Sequence, residues 1–190
     1  MMVRSLARRC MGMLALAWGL GAHGQESPEL ELNRSQVSFI SEAPLETIGA
    51  TNRQLEGKVD RAMRTFSIKV PMVAFKGFNS PLQREHFNEN YMATAQWPFA
   101  GFEGRIIEEV DLRQPGTYKV RAKGLLTIRG VSIERIVPCT LEVGPAGTHV
   151  RSSFEVVLSD HGIRIPRVVE RKVAATVLVR ADLYFGAAKP

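Results

Sequence analysis

The stretch Tyr118-Lys-Val-Arg-Ala-Lys-Gly-Leu-Leu-Thr-Ile128 decides the fold class. Tyr118, Val120, Ala122, Leu126 and Ile128 share one parity, whereas Lys119, Arg121 and Lys123 take the other. A spacing of two sends alternate side chains to opposite faces of a strand, so this segment has one dry face and one wet face. Arg129-Gly130 supplies a turn, and the chain returns with Val131, Ile133, Val137, Cys139, Leu141 and Val143 on a single parity. Arg135 is the exception on that face, and Glu134 and Glu142 lie opposite it. The two runs read as an antiparallel hairpin buried on one side.

Working outward, the same period recurs in eight segments: Gln36 to Ile40, Gly57 to Asp60, Thr65 to Val70, Gly104 to Asp111, Thr117 to Ile128, Ser132 to Val143, Thr148 to Leu158 and Val173 to Tyr184. Gln114-Pro-Gly116, Gly144-Pro-Ala-Gly147 and Asp160-His-Gly162 mark further turns, and short connections imply antiparallel neighbours. The chain is therefore all-β. Periodicity alone does not choose between a sandwich and a barrel, and an eight-stranded barrel holds either its own side chains or one small ligand. One segment breaks the pattern. Asn79-Ser80-Pro81 followed by Leu82, Glu85, His86 and Glu89 predicts a short helix, with Ser80 as its cap and Pro81 in its first turn.

The N-terminus is of another kind. Arg4, Arg8 and Arg9 precede the apolar run Cys10 to Leu20, about half the ~20 residues that span a bilayer. Ala22 and Gly24 stand at the −3 and −1 positions of a cleavage site, so residues 1–24 read as a secretory signal peptide and 25–190 as a single domain. Export to the periplasm follows. A lipoprotein is disfavoured because Cys10 precedes the apolar run instead of starting the mature chain. Removing residues 1–24 leaves 166 residues, 22 Lys and Arg against 19 Asp and Glu, and one cysteine, Cys139. A net charge of +3 without aromatic interleaving gives no support for nucleic-acid binding, and a lone cysteine forms no internal disulfide.

Catalytic patterns are weak. Gly130-Val-Ser132-Ile-Glu134 lacks the final glycine of a nucleophile elbow and sits in a hairpin. Glu85, His86 and Glu89 share a helical face, but without His-Glu-x-x-His spacing or a second His nearby; a buried, hydrogen-bonded structural His86 is the expectation. Ser159, Asp160 and His161 are consecutive and read as a turn. His149 lies on a strand near a glycine-rich turn, and Cys139 shares parity with Val137 and Leu141, as an inert buried thiol would. No metal site, cofactor or catalytic residue is assigned. Arg164, Arg167, Arg171 and Lys172 around Pro166 read first as a solvated loop, and second as a patch for transient contact with anionic head groups.

Four runs carry a family resemblance. Arg84-Glu-His-Phe-Asn-Glu-Asn-Tyr-Met92 with Trp97-Pro-Phe-Ala-Gly-Phe-Glu-Gly104 resembles the helix and aromatic-proline step of the YceI-like family. Gly124-Leu-Leu-Thr-Ile-Arg-Gly-Val131 is similar to its Gly-x-Leu-Thr-x-x-Gly-Val hairpin, and Ser35-Gln-Val-Ser-Phe39 to its first strand. The chain departs at Ala93-Thr-Ala-Gln96, where many relatives are acidic. The resemblance implies an extended, lipocalin-like, eight-stranded antiparallel barrel with one short helix. Its interior would bind a polyisoprenoid, a quinone-like lipid or another long amphiphile, as carrier or sequestering protein and without catalysis.

Strand parity then nominates the pocket lining: Val37, Phe39, Phe66, Ile68, Val70, Tyr118, Val120, Leu126, Val137, Leu141, Phe154, Val156 and Val177. Tyr91 and Phe99 join them from an aromatic group around the helix that also contains Phe87, Trp97 and Phe102 and that either gates a mouth or plugs one end. The alternative is a periplasmic structural or protein-interaction barrel with a filled core and no ligand. The oligomeric state is left open, a homodimer included.

Overall fold

In the computed structural model, which describes Glu29 to Ala187, the strands wind into one antiparallel sheet that closes on itself. They are β1 (Glu29–Leu32), β2 (Gln36–Glu42), β3 (Thr47–Asn52), β4 (Glu56–Asp60), β5 (Thr65–Pro71), β6 (Phe99–Ile106), β7 (Gly116–Ile128), β8 (Val131–Gly144), β9 (Gly147–Val157) and β10 (Thr176–Ala187). A helix stands between β5 and β6: α1 (Pro81–His86) runs on into a π-helical turn, Phe87–Tyr91. The signal peptide read at residues 1–24 lies outside the described residues.

The ten strands fill eight positions. β1 and β2 take successive stretches of β10, Leu30 lying opposite Ala187 and Val37 opposite Ala181, while β4 pairs with β1 and β3 with β2. Each of these two positions is thus one long strand with a short interruption. Side chains carry the hydrogen bonding across both breaks. The Tyr184 N–H donates to Ser35 Oγ at 3.0 Å, and the fully buried Asn52 donates to the Pro71 carbonyl at 2.8 Å while accepting from the Gln54 N–H at 2.7 Å. The barrel is eight-stranded, antiparallel and closed, with one eleven-residue helix.

The expected hairpin holds residue for residue, Tyr118 opposite Leu141 and Ile128 opposite Val131. Arg129 and Gly130 both have positive φ, 50° and 74°, as a two-residue turn that matches strand twist requires. The strand expected at Gly104 to Asp111 is corrected to β6, which begins at Phe99 and stops at Ile106. Beyond it, the Glu108 carboxylate takes the place of a strand neighbour, accepting from the Arg121 N–H at 2.6 Å and from Arg121 Nε at 2.7 Å. The chain then turns so that Leu112, 2% exposed, packs with Ile106, Val120 and Leu141. Two stretches not expected from the sequence, β1 and β3, are also strand. The last strand starts at Thr176 and not at Val173.

The two ends of the barrel differ. At the end marked by the start of β7, Ile106, Leu112, Val120 and Leu141 pack solidly. Beside them Leu30, Val59, Leu183 and Phe185 form a second packed group. At the other end, where β7 finishes, a larger apolar cluster surrounds open space under α1.

Candidate functional site

The open space is a cavity of about 490 Å³, inside the roughly 300–1,000 Å³ range of small-molecule sites. Its walls come from seven of the ten strands: Val37 and Phe39 on β2, Ile48 on β3, Ile68 and Val70 on β5, Ala100 and Phe102 on β6, Leu126 and Ile128 on β7, Phe154 and Val156 on β9, and Val177 and Val179 on β10. Phe75, Phe78, Phe87 and Tyr91 roof it. Four of the rings interlock, with Phe39 stacked on Phe87 at 5.4 Å and Phe78 tilted against Phe87 at 5.1 Å. Phe39 also meets Phe75, ring to ring, at 5.5 Å. Aromatic pairs at these separations add to area burial, so the roof is held by its own packing.

The helix sits where it does for local reasons. Ser80 caps it, its Oγ accepting from the Gln83 N–H at 3.2 Å, and Pro81 occupies the first helical position. Three bonds tie this end to the β2–β3 turn: Gln83 Nε2 donates to Glu46 Oε1 at 2.5 Å, and Asn79 Nδ2 to the Thr47 carbonyl at 3.0 Å and to Glu46 Oε1 at 3.4 Å. A third segment, Arg167 to Ala174, closes the ring. The Leu45 N–H donates to the Arg171 carbonyl at 2.8 Å, and the Ala174 N–H to the buried Ser41 Oγ at 2.9 Å. The polar groups of the cavity gather at this rim: Ser41, Glu46, Ser80, Gln83, His86 and Lys172.

Of the residues nominated from the sequence, Val37, Phe39, Ile68, Val70, Tyr91, Leu126, Phe154, Val156 and Val177 line the cavity. Phe66, Tyr118, Val120, Val137 and Leu141 do not. Parity put them on the inner face, but they stand away from the hollow, Tyr118, Val120 and Leu141 in the packed end and Phe66 against Phe102 at 5.0 Å. Phe99 is a clearer correction: it is 41% exposed, with the Lys69 ammonium 3.9 Å above its ring. Nor do the five aromatics near the helix form one group. Phe87, Tyr91 and Phe102 reach the cavity, whereas Trp97 packs beside Gly130, where an added Cβ would lie 2.7 Å from the indole ring. Phe75 and Phe78 were missed; they follow Pro71 in a segment without strand or helix periodicity.

The histidines exchange roles relative to expectation. His86 is exposed at the rim and not buried, while His161 is 2% exposed and its Nδ1 donates to the Val131 carbonyl at 3.1 Å. Desolvation holds the His161 imidazole below its ordinary pKa, so it is neutral at pH 7. It closes a 3-10 turn, Leu158–His161, that ends at Gly162 with φ 68°. Burial pushes the Tyr91 hydroxyl and the Cys139 thiol up, away from their reactive anionic forms. Ser132 shares a 2.7 Å hydrogen bond with Thr127 across the hairpin. His149 lies on the outer wall, its Nε2 2.6 Å from Asp182. Among the described residues no three His, Cys, Asp or Glu side chains are grouped to hold a metal ion.

An apolar cavity with a polar rim can take up a nonpolar chain and leave a polar end in water. Comparison with known proteins bears on that arrangement. The barrel resembles a polyisoprenoid binding domain from Saccharophagus degradans implicated in plant cell wall breakdown: TM-score 0.71, 14% identity, 84% of this chain and 98% of that one covered. It also resembles BcnA of Burkholderia cenocepacia, with TM-score 0.65, 18% identity and coverage of 79% and 95%. The Campylobacter jejuni YceI protein gives TM-score 0.53 at 12% identity, covering 70% and 78%. At these identities the likeness is one of fold. No curated protein matches the sequence. The model of the YceI-like domain matches residues 29–185, the barrel but for the last two residues of β10, and the chain therefore belongs to the YceI-like family.

Proposed function

We propose that this protein is an exported carrier that holds the apolar chain of a polyisoprenoid, a quinone-like lipid or a related long amphiphile, and does no chemistry on it. The observation that carries the reading is the cavity of about 490 Å³, walled by aliphatic and aromatic side chains with its polar groups confined to the rim. Burial alone suffices for affinity: each CH₂ taken from water contributes roughly 0.8 kcal/mol, without any directed hydrogen bond. Family membership and the likeness to a polyisoprenoid binding domain support the ligand class. The reading of export to the periplasm rests on the signal-like residues 1–24.

The test is native mass spectrometry and organic extraction of the protein as the cell processes it. A polyprenyl or similar long-chain species at near one per chain is the expected result. A reproducibly empty barrel that also refuses added isoprenoids would overturn the carrier reading in favour of an interaction barrel without ligand.

A further inference from the structure

The rim of the cavity carries a feature that holding a ligand does not require. Leu45, Leu82 and Val168 are 58%, 56% and 89% exposed, and all three sit around the mouth. Leu82 lines the opening itself. Leu45 is bonded through its backbone to Arg171, and Val168 tips the 3-10 turn Arg167–Val169 that precedes it. Isolated exposed apolar residues are ordinary, but three around one opening form a patch.

Charge surrounds this patch on one side. Between Arg164 and Lys172 four cations, Arg164, Arg167, Arg171 and Lys172, stand against one acid, Glu170. All four are exposed, and among the described residues none is held in an ion pair. Across the mouth, Glu46 is engaged by Gln83 and Asn79. Exposed aliphatic tips set between free arginines suit an interface with nonpolar material beneath an anionic layer.

We infer that the mouth of the barrel docks on a bilayer surface bearing anionic phospholipid, with Val168, Leu45 and Leu82 entering the head-group region and the Arg164–Lys172 segment held by lipid charge. The cavity would then open directly onto acyl chains. This surface stands on the rim alone and does not depend on which ligand the cavity takes.

Flotation with vesicles tests it, using neutral phosphatidylcholine and the same lipid with roughly one-third phosphatidylglycerol. The wild-type protein floats with the anionic vesicles and is released by ~0.5 M salt, which screens the charges. Arg164→Gln/Arg167→Gln/Arg171→Gln lowers partitioning roughly fivefold per charge, on the order of a hundredfold together. Leu45→Ser/Val168→Ser lowers it by about tenfold or more. Leu125→Ser/Ile136→Ser, which removes exposed apolar residues from the outer face of the β7–β8 hairpin, leaves it unchanged. Uptake of a soluble fluorescent prenyl analogue, measured without vesicles, separates docking from ligand binding and stays as in wild type in both rim variants. Equal flotation with neutral and anionic vesicles, or rim variants that float as well as wild type, would overturn the inference.

Discussion

Position 124 has room for a hydrogen atom and nothing larger. Gly124 faces Gly104 across β6 and β7, and a Cβ on either would be driven into the backbone of the opposite strand, against Glu103 or Lys123. Gly124→Ala should therefore lower stability by about 1–3 kcal/mol, read as a lower urea midpoint with an unchanged slope. His161 makes a second case at this scale. Its folded pKa lies below the unfolded value of 6.5, so the unfolded chain binds the extra proton first. Its contribution is complete above pH 6.5 and is lost as pH falls through the folded pKa. A His161→Gln variant should show a shallower fall in melting temperature on acidification below pH 6.5. Which histidine is buried was not legible in the sequence. His86 sits in a helical pattern and His161 in a turn tripeptide, and only the fold brings His161 under the start of β8, beside Val131.

Among the elements, β8 shows how an apparent flaw in a pattern records geometry. It pairs with β7 over its whole length but with β9 only from Cys139 to Gly144, so its first half stands apart from β9. Arg135, the odd residue on an apolar face, bridges that separation by donating to the Glu155 carbonyl at 2.7 Å. Arg135→Ala should cost about 1 kcal/mol and speed amide exchange in the flanking part of β9, measured by hydrogen exchange. The hairpins were readable because alternation and turn chemistry agree over many residues. β3 was not, because Thr47-Ile-Gly-Ala-Thr-Asn52 carries small residues that alternate weakly. The end of β6 was misread because Ile107 and Val110 continue an apolar pattern while the Glu108 side chain has already replaced the backbone ladder. Arg121 holds that carboxyl below its usual range.

For the whole molecule, parity shows which residues face inward but not where inner side chains leave a void. Val120 and Val177 look alike in sequence, both aliphatic on an inner face, yet one packs with Leu112 and the other borders open space. The same enlargement should separate them. Val120→Phe overpacks and lowers stability by about 1–3 kcal/mol. Val177→Phe has room to extend, so chemical denaturation should change little while uptake of a fluorescent prenyl analogue falls at least tenfold.

The packed end also gives the cavity a floor, and a socket with a floor has a depth. A chain accommodated there can only go in tail first, stopping against the residues that fill the far half of the barrel. Each added methylene strengthens the hold until the floor is reached, and any further length is left in solvent and adds nothing. If the proposed carrier role holds, such a barrel would act as a ruler, grading chains by the length that fits above its floor.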